Sequence, residues 1–532
     1  MKANVDREFG GIRAFLWPIH GHEVKKLVPM MIMLLLISFN YSVLRNLKDV
    51  VVVTAKSSGA EVLPFLKVWA VLPMAILITY FFTRLSSRFN QDTVVYTIIS
   101  IFLVAYATFA FILHPASGSL HPHAFADFLQ DILPVGFKGL IAMFRNWTFT
   151  LFYVMCELWG TMVLTVLFWG FANEVTKIGE ARRFYSILGI CSNIAAIFAG
   201  QIANFLSGME YNPYLPFGTN AWDQSMMQIV ILIVISGLLT MAAMWWMKRN
   251  VLNAKEYSTF HSTLNETALE KRLKKKKRLS LRESFRFLSD HKYLACIAIL
   301  VVSYNLVINL VEVIWKDQLR ELYPSPKDLN IYMNNLTSLM GVFSTMAALV
   351  MSQVIGRFGW TKVALATPFI MMVTSIGFFG FFFMQDHLGV AFLAMTGMTP
   401  LAIAVFFGSA QNCLSKAAKY SLFDTTKEMA FIPLNHDEKL RGKAAIDGVG
   451  SRLGKSGGSF AHQGLLVGLG SFSNSAPYIA GLLLSVIFVW ILATKSLGRQ
   501  FAALVASKDA EAYQELADAT PATSEPTQQA QV

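Results

Sequence analysis

The most informative property of this chain of 532 residues is how little charge it carries. Asp, Glu, Lys and Arg make up only 15% of it, against roughly a quarter in soluble globular proteins. Hydrophobic residues make up 55%. This composition excludes a chain of soluble domains, and it equally excludes intrinsically disordered and collagen-like proteins.

Cysteine is also scarce. The four cysteines (Cys156, Cys191, Cys296 and Cys413) lie far apart and form no C-x-x-C pair, which excludes a disulfide framework and a zinc site. We therefore expect no metal and no cofactor. Residues 1–26 are of mixed polarity and lead into a segment too long for the apolar core of a cleavable signal peptide. This segment is also too short and too acidic for an obvious plastid or mitochondrial transit peptide, which favours the plasma (inner) membrane of a bacterium.

What the chain has instead is apolar runs of about twenty residues, the length that crosses a hydrocarbon layer about 30 Å thick. We predict an all-α polytopic membrane protein with twelve transmembrane helices. The predicted spans are approximately 27–46, 62–82, 93–113, 147–172, 184–206, 226–247, 293–315, 330–355, 361–383, 388–410, 444–469 and 474–494.

The distribution of basic residues predicts the domain organisation and the orientation. A segment at 248–292 with 13 Lys and Arg separates two six-helix bundles, at 1–247 and 293–495, and a polar tail at 496–532 is expected to be disordered. If the N-terminus is inside, 36 Lys and Arg lie inside and 8 outside, so both termini are predicted to be cytoplasmic. The basic segment lies where a linker must lie, and no nucleic-acid partner is predicted.

Short internal matches support a repeat of half the chain. Ser38-Phe39-Asn40 in the first span matches Ser303-Tyr304-Asn305 in the seventh, and 168–173 in the fourth span resembles 406–411 in the tenth. Both matches join equivalent spans of the two bundles. Transporters built from two repeated bundles bind their substrate between them, so we predict a major-facilitator-like fold.

Charged residues within the apolar spans are the candidates for a functional site, because an ionised side chain at the bilayer centre costs about 2.5–3.5 kcal/mol or more. Glu157 lies in the fourth span, Glu312 in the seventh, and Arg45 and Lys48 at the end of the first. Polar stripes on these three spans predict one central aqueous path. The alternative for a carboxylate is a structural ion pair, for example between Glu312 and Lys316 one helical turn later.

Segment 411–455 is rich in cations, with eight Lys and Arg. Such a cluster, folded towards a cavity, suits a polyphosphate, and the alternative is a solvated cytoplasmic loop. Gly454-Lys455-Ser456 does not complete a P-loop, because Val449 stands where that motif needs glycine and no strand precedes it.

Several segments resemble the nucleotide transporter family, the ATP/ADP translocases of plastids and obligate intracellular bacteria. These segments are Phe168-Trp169-Gly170-Phe171-Ala172-Asn173, Arg182-Arg183-Phe184-Tyr185, Asn309-Leu310-Val311-Glu312-Val313-Ile314-Trp315-Lys316, and 419–430. The resemblance implies import of ATP in exchange for ADP and phosphate across the bilayer, by alternating access. Some family members instead co-transport nucleotides with protons, and that alternative stays open.

The resemblance also implies which residues act in transport. Four charged positions that the family associates with transport correspond here to Lys48, Glu157, Glu312 and Lys427. We predict that the two lysines hold the polyphosphate and that the two glutamates balance the charge of the empty site. Further cations would come from Arg45, Arg182, Arg183, Arg452 or Lys455.

One departure from the family bears on the transport mode. Many translocases have Arg-Asp-Thr-Lys-Asp at the end of the first span, where this chain has Arg45-Asn46-Leu47-Lys48-Asp49. The missing acid changes the charge beside a proposed phosphate ligand, which leaves exchange and proton symport both open. A membrane-embedded enzyme or receptor is a further alternative, but no Ser/His/Asp, metal or P-loop constellation supports it, so we do not predict an enzyme.

Overall fold

Long helices form the architecture of the computed structural model, which describes residues 17–176, 178–252, 291–385, 387, 390–443, 445–446 and 450–518. In this part of the chain, twelve helices have at least 18 residues, the number of spans predicted. They are α1 (Gly21–Val53), α2 (Val62–Ser86), α3 (Asp92–Leu113), α4 (Trp147–Val175), α5 (Ile178–Gly208), α6 (Ala221–Asn250), α7 (Lys292–Leu322), α8 (Pro326–Phe358), α9 (Trp360–Met384), α10 (Pro400–Ala418), α11 (Ser451–Leu469) and α12 (Phe472–Asp518). Most of the predicted basic linker, 253–290, lies outside the described residues.

Nine of the described helices are long and apolar enough to cross a membrane. Helices α8, α10 and α11 are not among them. Polar side chains explain this for α8, where Asn330, Asn334 and Thr337 are buried against other helices. A polar residue that faces a neighbouring helix rather than lipid can hydrogen-bond there, so a less apolar helix still fits inside a bundle.

The structure moves several predicted boundaries. Helix α1 continues to Val53 because the apolar run 50–53 extends it, so Lys48 lies within the helix. After α10 the chain stays helical, with a π-turn at Lys419–Phe423 and a helix at Asp424–Ala430, where the sequence had suggested a loop. The prediction of a disordered tail from 496 is wrong for its first part, because α12 continues to Asp518 through an alanine-rich stretch that favours helix.

The described residues form two hydrophobic cores. The buried residues of one core all lie between Ile19 and Met247. The other core is built mainly from residues of the second half, and it also takes in the end of α1, the start of α2, Ala142 and Tyr153. The two halves are therefore joined by apolar packing at the end of α1.

We call the side of the molecule where α1 begins the terminal face, and the other side the opposite face. Towards the opposite face the halves are in close contact. Asn330 of α8 donates to Ser207 of α5 at 2.8 Å, and Gln463 of α11 donates to the carbonyl of Pro64 in α2 at 2.8 Å. These hydrogen bonds join the halves near the opposite face.

The contact of α5 with α8 generates a prediction about stability. A Cβ atom at Gly200 would collide with Ser338 and with the backbone of Asn334, whereas a Cβ atom at Gly208 meets nothing within 4 Å. We expect Gly200→Leu to destabilise the protein, because overpacking costs about 1–3 kcal/mol. Gly208→Leu on the same helix is the control and should melt at or above the wild-type temperature in detergent. Equal melting temperatures for the two variants would contradict the contact.

Candidate functional site

Six charged side chains from α1, α2, α4 and α7 form one continuous chain of ion pairs, which we call the central network. Its members alternate in sign. In order along the chain of contacts they are Glu157, Lys48, Asp49, Lys316, Glu312 and Lys67.

The first part of the central network ties α1 to α4. The ammonium of Lys48 lies 2.9 Å from Oδ1 of Asp49 and 2.9 Å from Oε1 of Glu157. It also lies 4.0 Å from the ring centroid of Tyr153, an aromatic face that attracts a cation. Lys48 and Asp49 are both about 3% exposed, so their charges depend on one another rather than on water.

The second part of the central network ties α1 and α2 to α7. Lys316 Nζ lies 2.8 Å from Oδ2 of Asp49 and 3.1 Å from Oε1 of Glu312, one turn before it on α7. Lys67 Nζ lies 3.6 Å from Oε2 of Glu312 and 3.3 Å from Oδ1 of Asn309. Three carboxylates thus face three lysines, and the central network has no net charge.

A cavity of about 530 Å³ lies on the terminal side of the central network, between α1, α4, α5, α8 and α10. This volume is within the range of about 300–1,000 Å³ typical of small-molecule sites. Arg45 and Lys416 are the cations in its lining. Neither forms an ion pair with a carboxylate among the described residues, and Arg45 Nη2 contacts only the sulfur of Met340, at 3.8 Å.

Aromatic side chains form another part of the lining. Tyr41, Trp169 and Tyr185 reach the cavity from α1, α4 and α5. The rings of Trp169 and Tyr185 meet edge to face, with centroids 5.1 Å apart, and the Tyr185 hydroxyl donates to Asn173 at 2.5 Å. The cavity therefore combines unneutralised cations with aromatic faces that are held in place.

A much smaller cavity, about 10 Å³, brings the two parts of the site together. Its lining includes Arg45 and Lys416, which also line the large cavity. It also includes Asp49, Glu312 and Lys316 of the central network. An anion held by Arg45 and Lys416 would therefore lie next to the ion pair of Asp49 and Lys316, which joins α1 to α7.

The three predicted phosphate ligands of segment 411–455 do not line the large cavity. Lys427 lies 3.6 Å from Glu428 and, like Arg452 and Lys455, is not in the lining of the large cavity. The backbone carbonyl of Lys455 accepts from Asn309 of α7 at 2.7 Å, which places it one helix away from the central network. The role of these three residues as phosphate ligands stays a prediction.

The other two predicted arginines belong to the start of α5. Arg183 lies 2.5 Å from Glu23 and donates to the carbonyl of Pro18 at 3.1 Å, so it holds the start of α1 against α5. It is not in the lining of the large cavity. The side chain of Arg182 lies outside the described part of the structure.

The unusual Asn46 joins the two halves. Its amide nitrogen lies 2.9 Å from Oδ1 of Asn334, 2.9 Å from the hydroxyl of Thr337 and 3.2 Å from the carbonyl of Met333, all on α8. A carboxylate at this position could not donate to these acceptors. The amide in place of the family's acid thus serves a contact between α1 and α8.

Asp49 and Lys416 belong to the site, although the sequence alone did not single them out. Asp49 follows Lys48 directly, in what looked like the end of a span, and only the contact with Lys316 reveals that it joins the halves. Lys416 lies in the segment that resembled a loop, and the continuation of α10 carries it to the cavity. Lys416, Ser421 and Thr425 follow one another at intervals of about one helical turn, and this spacing could have indicated a helix with one face towards the cavity.

Residues 2–501 match the family described as TLC ATP/ADP transporter. The chain belongs to this family. Membership of the ATP/ADP transporter family confirms the resemblance seen in the sequence and the prediction that the chain is a transporter rather than an enzyme.

Relatives in bacteria and in plants support the membership. The chain is 43% identical to "ADP,ATP carrier protein 1" of Chlamydia trachomatis, over 98% of this chain and 96% of the relative. It is 41% identical to "ADP,ATP carrier protein 2, chloroplastic" of Arabidopsis thaliana, over 94% of this chain and 79% of the relative.

Solved structures confirm the major-facilitator-like fold. A bacterial homologue of the iron transporter ferroportin in its inward-facing state is 13% identical, with a TM-score of 0.51 over 90% of this chain and 100% of that one. The inward-open xylose transporter XylE from E. coli is 12% identical, with a TM-score of 0.50 over 89% of this chain and 95% of that one.

The central network predicts a large difference between two lysine variants. Lys316→Met leaves the buried Asp49 and the half-buried Glu312 each with one partner fewer, and breaking a buried ion pair costs about 3–5 kcal/mol. Lys455→Met removes an ammonium that has no carboxylate partner among the described residues, so it should change stability little. Thermal unfolding of both variants in detergent measures this, and similar melting temperatures would contradict the network.

Proposed function

We propose that this protein exchanges ATP for ADP across a membrane by alternating access, with the large cavity as the nucleotide site. The observation that carries the proposal is the pair of cations, Arg45 and Lys416, in a cavity that also has aromatic walls. The relatives named as carriers of ADP and ATP support the same substrates.

The charge balance of the site favours a polyphosphate. Because the ion pairs of the central network involve neither Arg45 nor Lys416, these two residues have no carboxylate partner to release among the described residues before they bind a ligand. Arginine forms paired hydrogen bonds with phosphate oxygens, and lysine acts as a point charge beside them. Lys48 already holds two carboxylates, so it would bind phosphate only by exchanging one of them.

The aromatic residues favour a nucleotide over a simple polyphosphate. A base can stack on Trp169, Tyr185 or Tyr41, an interaction worth about 1–3 kcal/mol per base. All three rings line the same cavity as the two cations. One nucleotide would thus have its phosphates near Arg45 and Lys416 and its base against an aromatic wall.

In its finer form the proposal places the protein in a bacterial plasma membrane, with both termini cytoplasmic and inorganic phosphate leaving together with ADP. The excess of Lys and Arg in the predicted inside segments supports this orientation. The large cavity would then face the cytoplasm, because it lies on the terminal side of the central network.

Exchange is favoured over proton symport. The names of the relatives describe carriers of ADP and ATP, and Glu157 and Glu312, the residues that would carry a proton, both have lysine partners. Proteoliposomes containing the purified protein test this directly. Labelled ATP should enter vesicles loaded with ADP faster than empty vesicles, and a proton uncoupler should not abolish uptake. Uptake that ignores internal ADP and stops with the uncoupler would establish symport instead.

The two cations of the cavity generate a prediction about affinity. We expect Arg45→Ala and Lys416→Ala each to raise the apparent KM for ATP by about 10- to 150-fold, since a hydrogen bond to a charged group contributes about 1.5–3 kcal/mol. Arg84→Ala, on an exposed part of α2, is the matched control and should keep the wild-type KM. The measurement is initial uptake of labelled ATP into ADP-loaded vesicles, and a wild-type KM in both variants would refute the site.

The aromatic wall generates a second prediction. Trp169→Ala should weaken the binding of both ATP and ADP, by roughly 5- to 150-fold if stacking contributes about 1–3 kcal/mol. Trp169→Phe keeps an aromatic face and should retain most of the affinity. Competition of unlabelled ADP against labelled ATP uptake provides the comparison. If both variants lost the same affinity for ATP and ADP, the ring of Trp169 would not stack on the base.

A further inference from the structure

The central network crosses between the two halves of the protein at two points. Asp49 of α1 contacts Lys316 of α7 at 2.8 Å, and Lys67 of α2 contacts Glu312 of α7 at 3.6 Å. Its remaining pairs stay within one half: Lys48 with its two acids in the first, and Glu312 with Lys316 in the second. Of the ion pairs in the central network, only these two must break if α1 and α2 move away from α7, and the hydrogen bond from Lys67 to Asn309 would break with them.

Separation of the halves would leave the first half poorly paired. Asp49 would have to share Lys48 with Glu157, and Lys67 would lose its carboxylate partner. Buried charges that lose a partner are strongly destabilising, because neither water nor lipid replaces the lost contact. In the empty protein the crossing pairs therefore oppose opening of the opposite face.

We infer that Asp49 is the positioning residue that makes exchange obligatory, by holding α1 against α7 until a nucleotide is bound. This inference rests on the proposed function. Asp49 is suited to the role because its two oxygens accept from different halves, Oδ1 from Lys48 and Oδ2 from Lys316. It is buried within the contact, where its hydrogen bonds compete little with water.

A bound nucleotide relieves this hold by competition. The small cavity brings Arg45 and Lys416 together with Asp49, Glu312 and Lys316. Phosphates bound to the two cations add negative charge beside Asp49 and offer Lys316 new oxygen acceptors. The pair between Asp49 and Lys316 then weakens only when the site is occupied, so the loaded protein changes face and the empty one does not.

The test compares ATP uptake into ADP-loaded and empty proteoliposomes. We expect Asp49→Asn to lower the ratio of loaded to empty uptake by about tenfold, the change that about 1.4 kcal/mol produces. Asp49→Glu, which keeps the charge, should restore most of the ratio. Glu23→Gln is the matched control, because Glu23 is equally buried but pairs with Arg183 within the first half. It should keep the wild-type ratio.

A second readout does not depend on transport. Ser207 is fully buried where α5 meets α8 near the opposite face, and the four native cysteines are buried as well. In a Ser207→Cys background without nucleotide, Asp49→Asn should react several-fold faster with a membrane-impermeant maleimide added at that face. If Asp49→Asn fails to fold, Lys67→Gln breaks the other crossing pair and should shift both readouts in the same direction.

The possible outcomes distinguish a failure of the role of Asp49 from a failure of the proposed exchange of ATP for ADP. An unchanged uptake ratio together with an unchanged labelling rate in the Asp49→Asn or Lys67→Gln variant overturns the role of Asp49. A lower ratio in Glu23→Gln also overturns it, because any buried acid would then have the same effect. If the wild-type protein shows no dependence on internal ADP, the proposed function fails, and the labelling comparison still decides whether Asp49 keeps the opposite face closed.

Discussion

Electrostatic pairing inside an apolar environment is the constraint on which the rest of this structure depends. A lone charge among apolar helices costs several kcal/mol, so the lysines and carboxylates of α1, α2, α4 and α7 are stable only in contact with one another. Lys48 and Lys316 each hold two carboxylates, and Asp49 joins them. This requirement brings four helices from both halves to one point, and it positions the cavity beside that point.

The same pairing determines what is left for a ligand. Because the six members of the central network neutralise one another, the positive charge available to a substrate comes from Arg45 and Lys416. An anion is attracted to the cavity without having to separate an existing pair first. Once bound, it lies beside the crossing pair of Asp49 and Lys316, which allows occupancy of the site to affect the contact between the halves.

The fold class could be predicted from the sequence, since long apolar runs and the half-chain repeat are visible without any tertiary contact. These patterns indicated an all-α membrane protein with a major-facilitator-like fold. Glu157, Glu312 and Lys48 were also recognisable, because a charge within an apolar run stands out. That these three meet through Asp49 was not predictable, because it depends on how α1 and α7 pack.

For other charged residues, the sequence did not show whether they belong to the site. Lys416 appeared to lie in a cytoplasmic loop, since a polar helix inside a bundle has the composition of a solvated segment. Arg183 looked like a phosphate ligand, but Glu23, 160 positions earlier in the chain, already holds it. Composition identifies which residues are charged, whereas tertiary contacts determine which of those charges remain available.

The most direct test of the account is an experimental structure of the full chain with bound ADP. We expect phosphate oxygens within hydrogen-bonding distance of Arg45 and Lys416, with the base against Trp169, Tyr185 or Tyr41. Density for the nucleotide in the separate cavity near His114 and His121 at the opposite face, with the large cavity empty, would contradict it.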